Sequence, residues 1–287
     1  MQPVVMVIGA GAMGAAVGGR LAAQGATVLS PLAGRSEASI ARARAAGMTP
    51  ADDARAADAD FILSIVPPGD AVAVARRFAA VLAGAGKKPI YADCNAVNPQ
   101  TMARVAAEIA PSGCALVDAG IIGGPPRDGY GPTFYVSGPQ ARDFAALGRL
   151  GLNIAIVEGP VGAASAVKMS YAGITKGLTA LAAAMMLAAS RAGTAEVLHA
   201  ELAKSQPALL AWFERMIPAM YPKAYRWVAE MDEIADFVGE DAAAHALFGG
   251  TARLYERLAE DFAGHKAEIE ALETFLGRPA KTVKAAE

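Results

Sequence analysis

Short runs of apolar residues alternate with alanine-rich helical stretches through the first half of the chain. The apolar runs are continuous rather than alternating with polar residues, which is typical of strands buried on both faces of a parallel sheet. Strands joined by helices predict an α/β domain. The predicted strands cover residues 4–8, 26–29, 61–65, 89–92 and 115–118, and the runs 133–136 and 153–156 are predicted to extend the sheet.

The pattern changes after Gly159, where the strand-like runs stop. One long helical pattern covers 162–191, and further helices are predicted at 195–204, 208–216, 225–237 and 242–271. We therefore predict two domains, an α/β domain over 1–159 and an all-α domain over 160–287. The last residues, 279–287, carry too little apolar surface to be ordered by packing.

Composition narrows the class of partner. The 287 residues include 26 basic and 28 acidic side chains, and no basic cluster is longer than the pair Lys87-Lys88. This balance gives no electrostatic footprint for nucleic acid or an anionic membrane, which leaves a small molecule as the expected partner. The most apolar run, 178–190, is shorter than the roughly 20 residues of a membrane span, so we predict a buried helix there.

Cysteine and histidine usage bears on metals and on the compartment. Cys94 and Cys114 are not in CxxC motifs, and the three histidines are scattered along the chain. No spacing resembles a zinc site, so we predict no metal. Two cysteines in 287 residues and an N-terminus unlike a signal peptide favour a reducing cytoplasm.

The turn after the first predicted strand reads Gly-Ala-Gly-Ala-Met-Gly, from Gly9 through Ala12 and Met13 to Gly14. In a βαβ unit, Gly9 permits the tight turn, Gly11 lets a pyrophosphate approach the backbone, and Gly14 lets the helix pack against the strand. The helix N-terminus also presents N–H groups to the phosphates. We therefore predict a Rossmann domain with a dinucleotide site at these residues. The alternative is a glycine-rich packing turn in another kind of α/β domain.

The end of the second predicted strand indicates which dinucleotide is bound. An acidic residue is expected there to hold the ribose hydroxyls of NAD, but residues 29–31 close the strand without a carboxylate. Arg35 and Ser36 follow with a guanidinium and a hydroxyl suited to a 2′-phosphate, so we predict NADP in preference to NAD. The alternative is that Arg35 is a solvated side chain and that Ser36 only caps the next helix.

Three predicted loops follow strands at the edge of the sheet where ligands bind in this class of fold. They cover 64–69, 93–99 and 118–124, and each combines turn residues with polar groups or N–H donors. The prolines in the first two loops have an equally good explanation as ordinary helix starts, because proline is tolerated in a first turn.

Taken together, these segments resemble the β-hydroxyacid dehydrogenases, a family that includes 3-hydroxyisobutyrate and 6-phosphogluconate dehydrogenases and, more distantly, imine reductases. The resemblance covers nearly the whole chain. Residues 9–14 are similar to the family's GxGxMG turn, 66–68 to its nicotinamide-side loop, 93–99 to its D-x-N-x-x-x-P segment, 118–124 to its substrate-binding segment, and 162–168 to the start of its interdomain helix.

The resemblance implies roles for individual residues. It places Val66, Pro67, Pro68 and Asn95 beside the cofactor, and it makes Lys168 the catalytic acid/base. A lysine on a helix packed between domains would be partly desolvated, which lowers its pKa toward the operating range and lets it exchange a proton with a substrate oxygen. Without the resemblance, Lys168 is explained as an ordinary lysine with a packed stem and an ammonium in water.

Departures from the family pattern bear on the substrate. Ile122 stands where the family has a serine that helps to bind a carboxylate, and Ala172 stands where it has Asn or Asp. Gly120 replaces a proline of the substrate-binding segment, which ends in Gly123 and Gly124. These changes predict a substrate that is bulkier or more apolar than 3-hydroxyisobutyrate, with an aromatic one as a candidate.

The predicted helical domain is expected to complete the substrate pocket. Tyr171 and Thr175 are candidates for the missing polar group, unless they are surface or packing residues. The stretch 225–234 resembles a less characterised branch of the family, and that resemblance would place Met231 in the pocket. The alternative is an amphipathic helix with Trp227, Met231 and Ile234 directed inward.

These features combine into one predicted function. The protein is expected to be an NADP(H)-dependent dehydrogenase or reductase that interconverts an alcohol and its carbonyl through Lys168. The small and apolar residues of the helix at 162–191 predict a homodimer. Two alternatives stay open, an imine reductase-like enzyme, against which the retained lysine argues, and a catalytically silent NADP-binding sensor.

Overall fold

The computed structural model describes residues 2–278. The chain divides into two compact units, unit 1 (Met1–Met169) and unit 2 (Ser170–Glu287). Helix α6 (Ala163–Arg191) contributes its first residues to unit 1 and the others to unit 2. The domain boundary expected after residue 159 stays a prediction, and the segment 279–287 lies outside the described residues.

Unit 1 is built on an eight-stranded sheet with the strand order β3-β2-β1-β4-β5-β6-β7-β8. The strands are β1 (Val4–Ile8), β2 (Thr27–Pro31), β3 (Thr49–Ala51), β4 (Phe61–Ser64), β5 (Ile90–Asp93), β6 (Leu116–Ile122), β7 (Thr133–Ser137) and β8 (Asn153–Ile156). The helices are α1 (Ala12–Ala23), α2 (Glu37–Ala45), α3 (Ala71–Ala83), α4 (Pro99–Ile109) and the short α5 (Ala141–Phe144). Crossovers run to both sides of β1, which is the doubly wound topology of a Rossmann domain and confirms the predicted fold class.

The inner strands of this sheet are buried on both faces, as the continuous apolar runs predict. Along β1, Val5 and Val7 belong to one hydrophobic core, which includes Leu21 of α1. Met6 belongs to a second core, which includes Phe78 of α3. Successive side chains of a strand point to opposite faces, so the two cores lie on opposite sides of the sheet.

The sheet differs from the prediction in two respects. Strand β6 runs through Ile122 rather than ending at 118, because β7 pairs with residues 118–122 in antiparallel register and satisfies their backbone groups. The sheet is therefore mixed rather than wholly parallel. Strand β3 was not predicted, because its three residues lie at the sheet edge and include Pro50, which gives a weak strand signal.

Unit 2 is helical, as predicted. After α6 follow α7 (Ala195–Ser205), α8 (Pro207–Met220), α9 (Ala224–Phe237), α10 (Ala242–Ala263) and α11 (Ala267–Phe275). The prediction of one helix over 242–271 is wrong. Helix α10 is capped by Gly264, and Lys266 adopts a left-handed conformation with φ 60°. The Asp261 carboxylate then accepts a hydrogen bond from the Ile269 N–H at 3.0 Å in the first turn of α11.

Helix α6 is long and apolar enough to cross a membrane on length and composition alone. Half of the residues in its most apolar window are buried, which also occurs in core helices of globular proteins. Length and composition are therefore weak grounds for assigning a membrane span to it.

Candidate functional site

Four strand ends form a row at the carboxyl edge of the unit 1 sheet. Ile8 pairs in register with Ser64, and Ser64 pairs with Asp93. Asp93 in turn pairs with Asp118. Because β1, β4, β5 and β6 run parallel, their chains leave the row in the same direction, toward the edge where ligands bind in doubly wound folds. Strand β6 continues past the row to Ile122.

The glycine turn lies at this edge between β1 and α1. Gly9 has φ +96°, and a Cβ at this position would lie 2.2 Å from the Ile65 carbonyl oxygen. A Cβ on Gly14 would lie 1.9 Å from the Gly9 oxygen, whereas one on Gly11 would meet nothing within 4 Å. Gly9 and Gly14 thus allow close packing of the backbone, and the space over Gly11 is open.

The first turn of α1 fits an anion. Gly11 and Ala12 are exposed, Met13 is half-buried, and the turn contains no acidic residue. No side chain caps this helix N-terminus. Backbone N–H groups and the positive end of the helix dipole are therefore directed at the open space, which is the arrangement that holds a pyrophosphate.

A hydrogen-bonded cluster of Ser36, Ser39 and Arg42 connects the start of α2 with the glycine turn. Ser36 caps α2 by accepting a hydrogen bond from the Ser39 N–H at 3.3 Å, so the capping role expected as an alternative is present. The two serine hydroxyls lie 3.1 Å apart. Arg42 donates to the Ser39 hydroxyl at 2.9 Å and to the Ala10 carbonyl at 3.3 Å. Arg35 directly precedes this cluster and is partly exposed.

Sequence reasoning missed Arg42. Its signal was its position three residues after Ser39, which places both side chains on one face of α2. A single sequence does not show that this face is directed at the glycine turn, because the packing of α2 decides it.

Asn95 joins the loops that follow β4 and β5. Its side-chain oxygen accepts a hydrogen bond from the Val66 N–H at 2.6 Å. Its amide nitrogen donates to the Asp93 carboxylate at 2.8 Å and to the Ser64 hydroxyl at 3.2 Å. Ser64, Asp93 and Asn95 are all buried. The network fixes the position of the 66–68 loop, which the family resemblance assigns to the nicotinamide side of the cofactor.

The prolines of these loops also begin helical turns. Pro68 is the first residue of the 3-10 turn Pro68–Asp70, and Pro99 is the first residue of α4. The Asn98 side chain caps α4 by accepting a hydrogen bond from the Thr101 N–H at 2.7 Å. The helix-start explanation therefore holds for Pro68 and Pro99, and it does not conflict with a place beside the cofactor.

Asp118 holds the beginning of α6 against β6. Its carboxylate accepts hydrogen bonds from the Gly162 N–H at 2.9 Å and from the Ser165 N–H and hydroxyl at 2.9 Å and 2.8 Å. The Ser137 hydroxyl donates to it at 3.1 Å. Burial raises the pKa of Asp118 above its usual value, although these hydrogen bonds favour the charged form.

Lys168 lies one turn further along α6 and is half-buried. Its ammonium donates a hydrogen bond to the backbone oxygen of Ile121, beyond the row of strand ends. Gly120 allows this approach, because a Cβ there would lie 3.0 Å from the Ala164 oxygen and 3.1 Å from the Lys168 Cβ. The glycine that replaces the family's proline is thus a point of close contact between strand and helix.

The segment expected to bind substrate, 118–124, ends in a contact with Tyr130. Ile122 is partly exposed at the end of β6, and Gly123 and Gly124 are exposed. The Tyr130 hydroxyl accepts a hydrogen bond from the Gly124 N–H at 3.0 Å. It would also lie 2.6 Å from a Cβ on Gly123, where φ is +127°. Sequence reasoning missed Tyr130, and its place in the loop 123–132 gave no periodic signal.

Three residues expected to bind substrate lie in unit 2. Tyr171 is exposed, whereas Ala172 and Met231 are buried. Trp227 and Ile234 are buried on the same helix as Met231, which is the inward face expected as the alternative. The substrate-binding roles of these residues stay predictions.

Unit 2 contains a largely buried ion pair that sequence reasoning missed. The Lys176 ammonium pairs with the Glu230 carboxylate, and each side chain is 13% exposed. The ammonium also lies 4.9 Å from the centre of the Trp227 ring, and the Tyr255 hydroxyl donates to the Lys176 backbone oxygen at 2.5 Å. Burial lowers the pKa of Lys176, and the Glu230 carboxylate opposes this change.

Two protein families match parts of the chain. The family described as the NAD binding domain of 6-phosphogluconate dehydrogenase matches residues 4–155. A domain of unknown function, DUF1932, matches residues 189–258. None of the curated proteins is similar enough in sequence to match the chain.

Solved structures match nearly the whole chain. A conserved protein of unknown function, MTH1747, described as structurally similar to 3-hydroxyacid dehydrogenases, is 29% identical with a TM-score of 0.70, covering 90% of this chain and 97% of its own. The Mycobacterium tuberculosis 3-hydroxyisobutyrate dehydrogenase is 21% identical with a TM-score of 0.72, covering 95% and 99%. An imine reductase variant from Myxococcus stipitatus, in complex with NAD+, is 21% identical with a TM-score of 0.56, covering 96% and 100%. The likeness to the last two structures shows a shared fold. The match of residues 4–155 shows that the chain contains an NAD(P)-binding domain.

Proposed function

Because the chain belongs to the family of the 6-phosphogluconate dehydrogenase NAD-binding domain, within the β-hydroxyacid dehydrogenases, we propose that it is an NADP(H)-dependent oxidoreductase that interconverts an alcohol and its carbonyl. Lys168 is the acid/base of this reaction. One observation carries the proposal. The Lys168 ammonium is held at the Ile121 oxygen, beyond the strand ends, at the edge of the sheet that also carries the glycine turn.

The proposed reaction combines a hydride transfer with a proton transfer. A bound nicotinamide supplies or accepts the hydride. Lys168 donates a proton to the substrate oxygen during reduction and takes one back during oxidation. The Ile121 carbonyl orients the Lys168 ammonium before the substrate binds. A substrate oxygen that binds close to this carbonyl can then accept a hydrogen bond from the ammonium.

The cofactor contacts follow from the loops at the sheet edge. Gly9, Gly11 and Gly14 with the N–H groups of Ala12 and Met13 hold the pyrophosphate. The loop 66–68, fixed by Asn95, supports the nicotinamide end.

The cluster of Ser36, Ser39 and Arg42 at α2 supports a preference for NADP over NAD. Arg35 and Ser36 bind the 2′-phosphate, and Arg42 adds a second guanidinium on the same serine cluster. Arg35→Ala is expected to raise the dissociation constant of NADPH by about tenfold or more, since a hydrogen bond to a charged group contributes about 1.5–3 kcal/mol. The dissociation constant of NADH should stay within about twofold of the wild-type value. Equal affinity of the wild type for the two cofactors would overturn the preference.

The substrate binds at the end of β6. Ile122, Gly123 and Gly124 contact it there, and Gly120 keeps Lys168 close to the strand. Tyr171, Ala172 and Met231 are further proposed as residues that contact the substrate. An isoleucine in place of the family's serine favours a substrate that is bulkier or more apolar than 3-hydroxyisobutyrate, with an aromatic carbonyl or alcohol as the first choice.

A substrate panel separates this proposal from its alternatives. Wild-type protein, Lys168→Ala and the control Lys204→Ala, which changes an exposed lysine of α7, are assayed with aldehydes, ketones, alcohols and cyclic imines. We expect carbonyl or alcohol turnover in the wild type and the control, and loss of turnover with retained NADPH binding in Lys168→Ala. Turnover of imines alone would favour an imine reductase, and binding without any turnover would favour a sensor. Full activity of Lys168→Ala would contradict the role of Lys168.

We further propose that a second copy of the chain covers one face of α6. Tyr171, Ile174, Leu181 and Met185 recur at spacings of three, seven and four residues, and they are 52%, 71%, 60% and 57% exposed. Such an apolar stripe on one helix is suited to pairing with another helix. Light scattering should show a dimer that Leu181→Glu dissociates. The control Leu247→Glu, at a side chain 64% exposed on α10, should leave it intact. A monomeric wild type would contradict the proposal.

The cysteines bear on the compartment. Cys94 and Cys114 are both buried free thiols. This fits the proposal that the protein works in a reducing cytoplasm, where structural disulfides are rare.

A further inference from the structure

The Asp118 carboxylate binds groups from three separate elements. It is carried by β6, it receives the hydroxyl of Ser137 from β7, and it receives two N–H groups and one hydroxyl from the start of α6. Asp118 is 1% exposed, Ser165 is 1% exposed and Ser137 is fully buried. A buried carboxylate is stable only when hydrogen bonds compensate for its lost hydration. The Asp118 carboxylate therefore needs the donors of β7 and α6 to stay at these positions.

This contact differs from an ordinary helix cap. A capping side chain normally comes from the residue just before the helix, and it satisfies N–H groups without joining two elements. Here the acceptor comes from a strand, 44 residues before Gly162 and 47 before Ser165. The hydrogen bonds therefore fix the helix to the sheet as well as satisfying its first turn.

Strand β6 holds α6 at three successive levels. Asp118 binds the first turn, and Gly120 allows backbone contact with Ala164 and the Lys168 Cβ at the next level. The Ile121 carbonyl then accepts the Lys168 ammonium. Ser165 and Lys168 are three residues apart, so the contacts of both lie on one side of the helix. The contact of Asp118 with Ser165 thus determines where along β6 the Lys168 side chain lies.

We propose that Asp118 is the positioning residue for Lys168, fixing the first turn of α6 on β6 so that the ammonium is presented beside Ile121. The proposal rests on the proposed function in so far as Lys168 is the acid/base. Asp118 does not contact the reacting atoms. It acts through Ser165 and the helix backbone.

Three variants test this role. Asp118→Asn keeps the size of the side chain but replaces one acceptor oxygen with an amide donor that faces the donors of α6. Ser165→Ala removes the hydroxyl donor, and Ser165→Thr restores it. The matched control is Ser112→Ala, which removes another buried hydroxyl of unit 1, one that donates to the Ile109 oxygen at 2.7 Å.

Two readouts are measured on the full chain. The first is kcat together with the dissociation constant of NADPH. The second needs no activity. It is the acetylation rate of Lys168 with acetic anhydride, followed by peptide mass spectrometry and divided by the rate of the exposed Lys204.

In Asp118→Asn we expect kcat to fall about 10- to 100-fold with NADPH affinity within twofold of wild type, because misplacement of a catalytic group by about 1 Å can cost 10²-fold. The relative acetylation rate of Lys168 should change at least threefold. Ser165→Ala should shift both quantities in the same direction by less, and Ser165→Thr should return them toward wild type. Ser112→Ala should leave both at wild-type values.

A folded Asp118→Asn whose kcat and relative acetylation rate match those of Ser112→Ala would overturn the proposal. If Asp118→Asn does not fold, the Ser165 pair decides, and equal values for the alanine and threonine variants would overturn it. If Lys168→Ala keeps full turnover, the proposed function fails, while the acetylation rates still decide whether Asp118 positions the lysine.

Discussion

Two lysines on α6, eight residues apart, have opposite surroundings. Lys168 is half-buried in unit 1 and donates to a backbone carbonyl at the end of β6. Lys176 lies in unit 2 with its side chain 13% exposed, and it pairs with the Glu230 carboxylate near the face of Trp227. In the sequence both are single lysines in an apolar helix, and spacing alone does not tell them apart.

The difference bears on which lysine fits the proposed acid/base role. A carbonyl oxygen is a neutral acceptor, and a substrate oxygen can take its place at a similar hydrogen-bond energy. A buried carboxylate cannot be exchanged in this way, because separating the pair would leave a charge in a region of low dielectric constant. The surroundings of Lys168 therefore support its proposed role in proton transfer, whereas the ion pair of Lys176 with Glu230 joins α6 to α9.

The largest expected effect is on catalysis. Lys168→Ala should lower kcat by about 10²- to 10⁴-fold, the usual contribution of a general acid or base. Its free energy of unfolding should stay close to that of the wild type, because the side chain that is shortened is only half-buried. Both quantities are measured on the same preparation, by steady-state kinetics and by urea unfolding. A variant that loses stability and keeps its kcat would reverse the comparison.

The second effect is on stability. Lys176→Met should lower the free energy of unfolding by about 3 kcal/mol, since breaking a largely buried ion pair by removing one partner is strongly destabilising. The double variant Lys176→Met with Glu230→Leu should recover most of this loss. Urea unfolding of both variants checks the expectation. It fails if the double variant is less stable than the single one.

The third effect compares two glycines, each near one of the lysines. A Cβ on Gly120 would lie 3.0 Å from the Ala164 backbone oxygen, whereas one on Gly177 would lie 3.4 Å from the Phe248 ring. Gly120→Ala should therefore destabilise the protein by about 1–3 kcal/mol through overpacking and lower kcat by displacing Lys168. Gly177→Ala should be neutral or stabilising by about 0.5–1 kcal/mol, since alanine favours the helix. Thermal unfolding and kcat of both variants test this, and equal effects would argue against a close contact at Gly120.

The smallest effect concerns pH. Burial raises the pKa of Asp118 above its usual value of 3.8. As pH rises from 3.8 through the native pKa, the unfolded chain has already released a proton that the native state still binds, so the free energy of unfolding should fall across this window. Asp118→Asn should remove this contribution, as seen in urea unfolding at several pH values.

Asp60 provides a control of opposite sign. Burial acts to raise its pKa, but hydrogen bonds from Lys87 and the Val4 N–H lower it overall. Its contribution to stability is present above pH 3.8 and is lost as pH falls through the native pKa. Asp60→Asn should therefore change the slope in the opposite direction to Asp118→Asn, and slopes of the same sign would contradict the assignment for Asp118.

The sequence was sufficient for the features that depend on local pattern. Apolar runs predicted seven of the eight strands, and the glycine turn predicted the dinucleotide-binding domain. The strand that was missed, β3, has three residues including Pro50. The break between α10 and α11 was missed as well, because it depends on the left-handed conformation of Lys266 and on the Asp261 side chain.

The contacts of the site depend on tertiary packing, and the sequence did not show them. Arg42 of α2 donates to the Ala10 carbonyl in the glycine turn through the packing of separate elements. The Tyr130 hydroxyl accepts a hydrogen bond from the Gly124 N–H through the conformation of a loop that has no periodic pattern. The Asp118 contact with Ser165 joins residues 47 positions apart. Spacing along the chain carries no information on which of many such polar residues will meet.

A crystal structure of the protein with NADP+ and an alcohol substrate from the panel tests the central claim most directly. We predict the pyrophosphate over Gly11 and the Lys168 Nζ within hydrogen-bonding distance of the substrate oxygen, about 2.6–3.2 Å. A substrate seated against the nicotinamide with its oxygen bound by some other side chain, and with the Lys168 Nζ directed into solvent, would contradict the account.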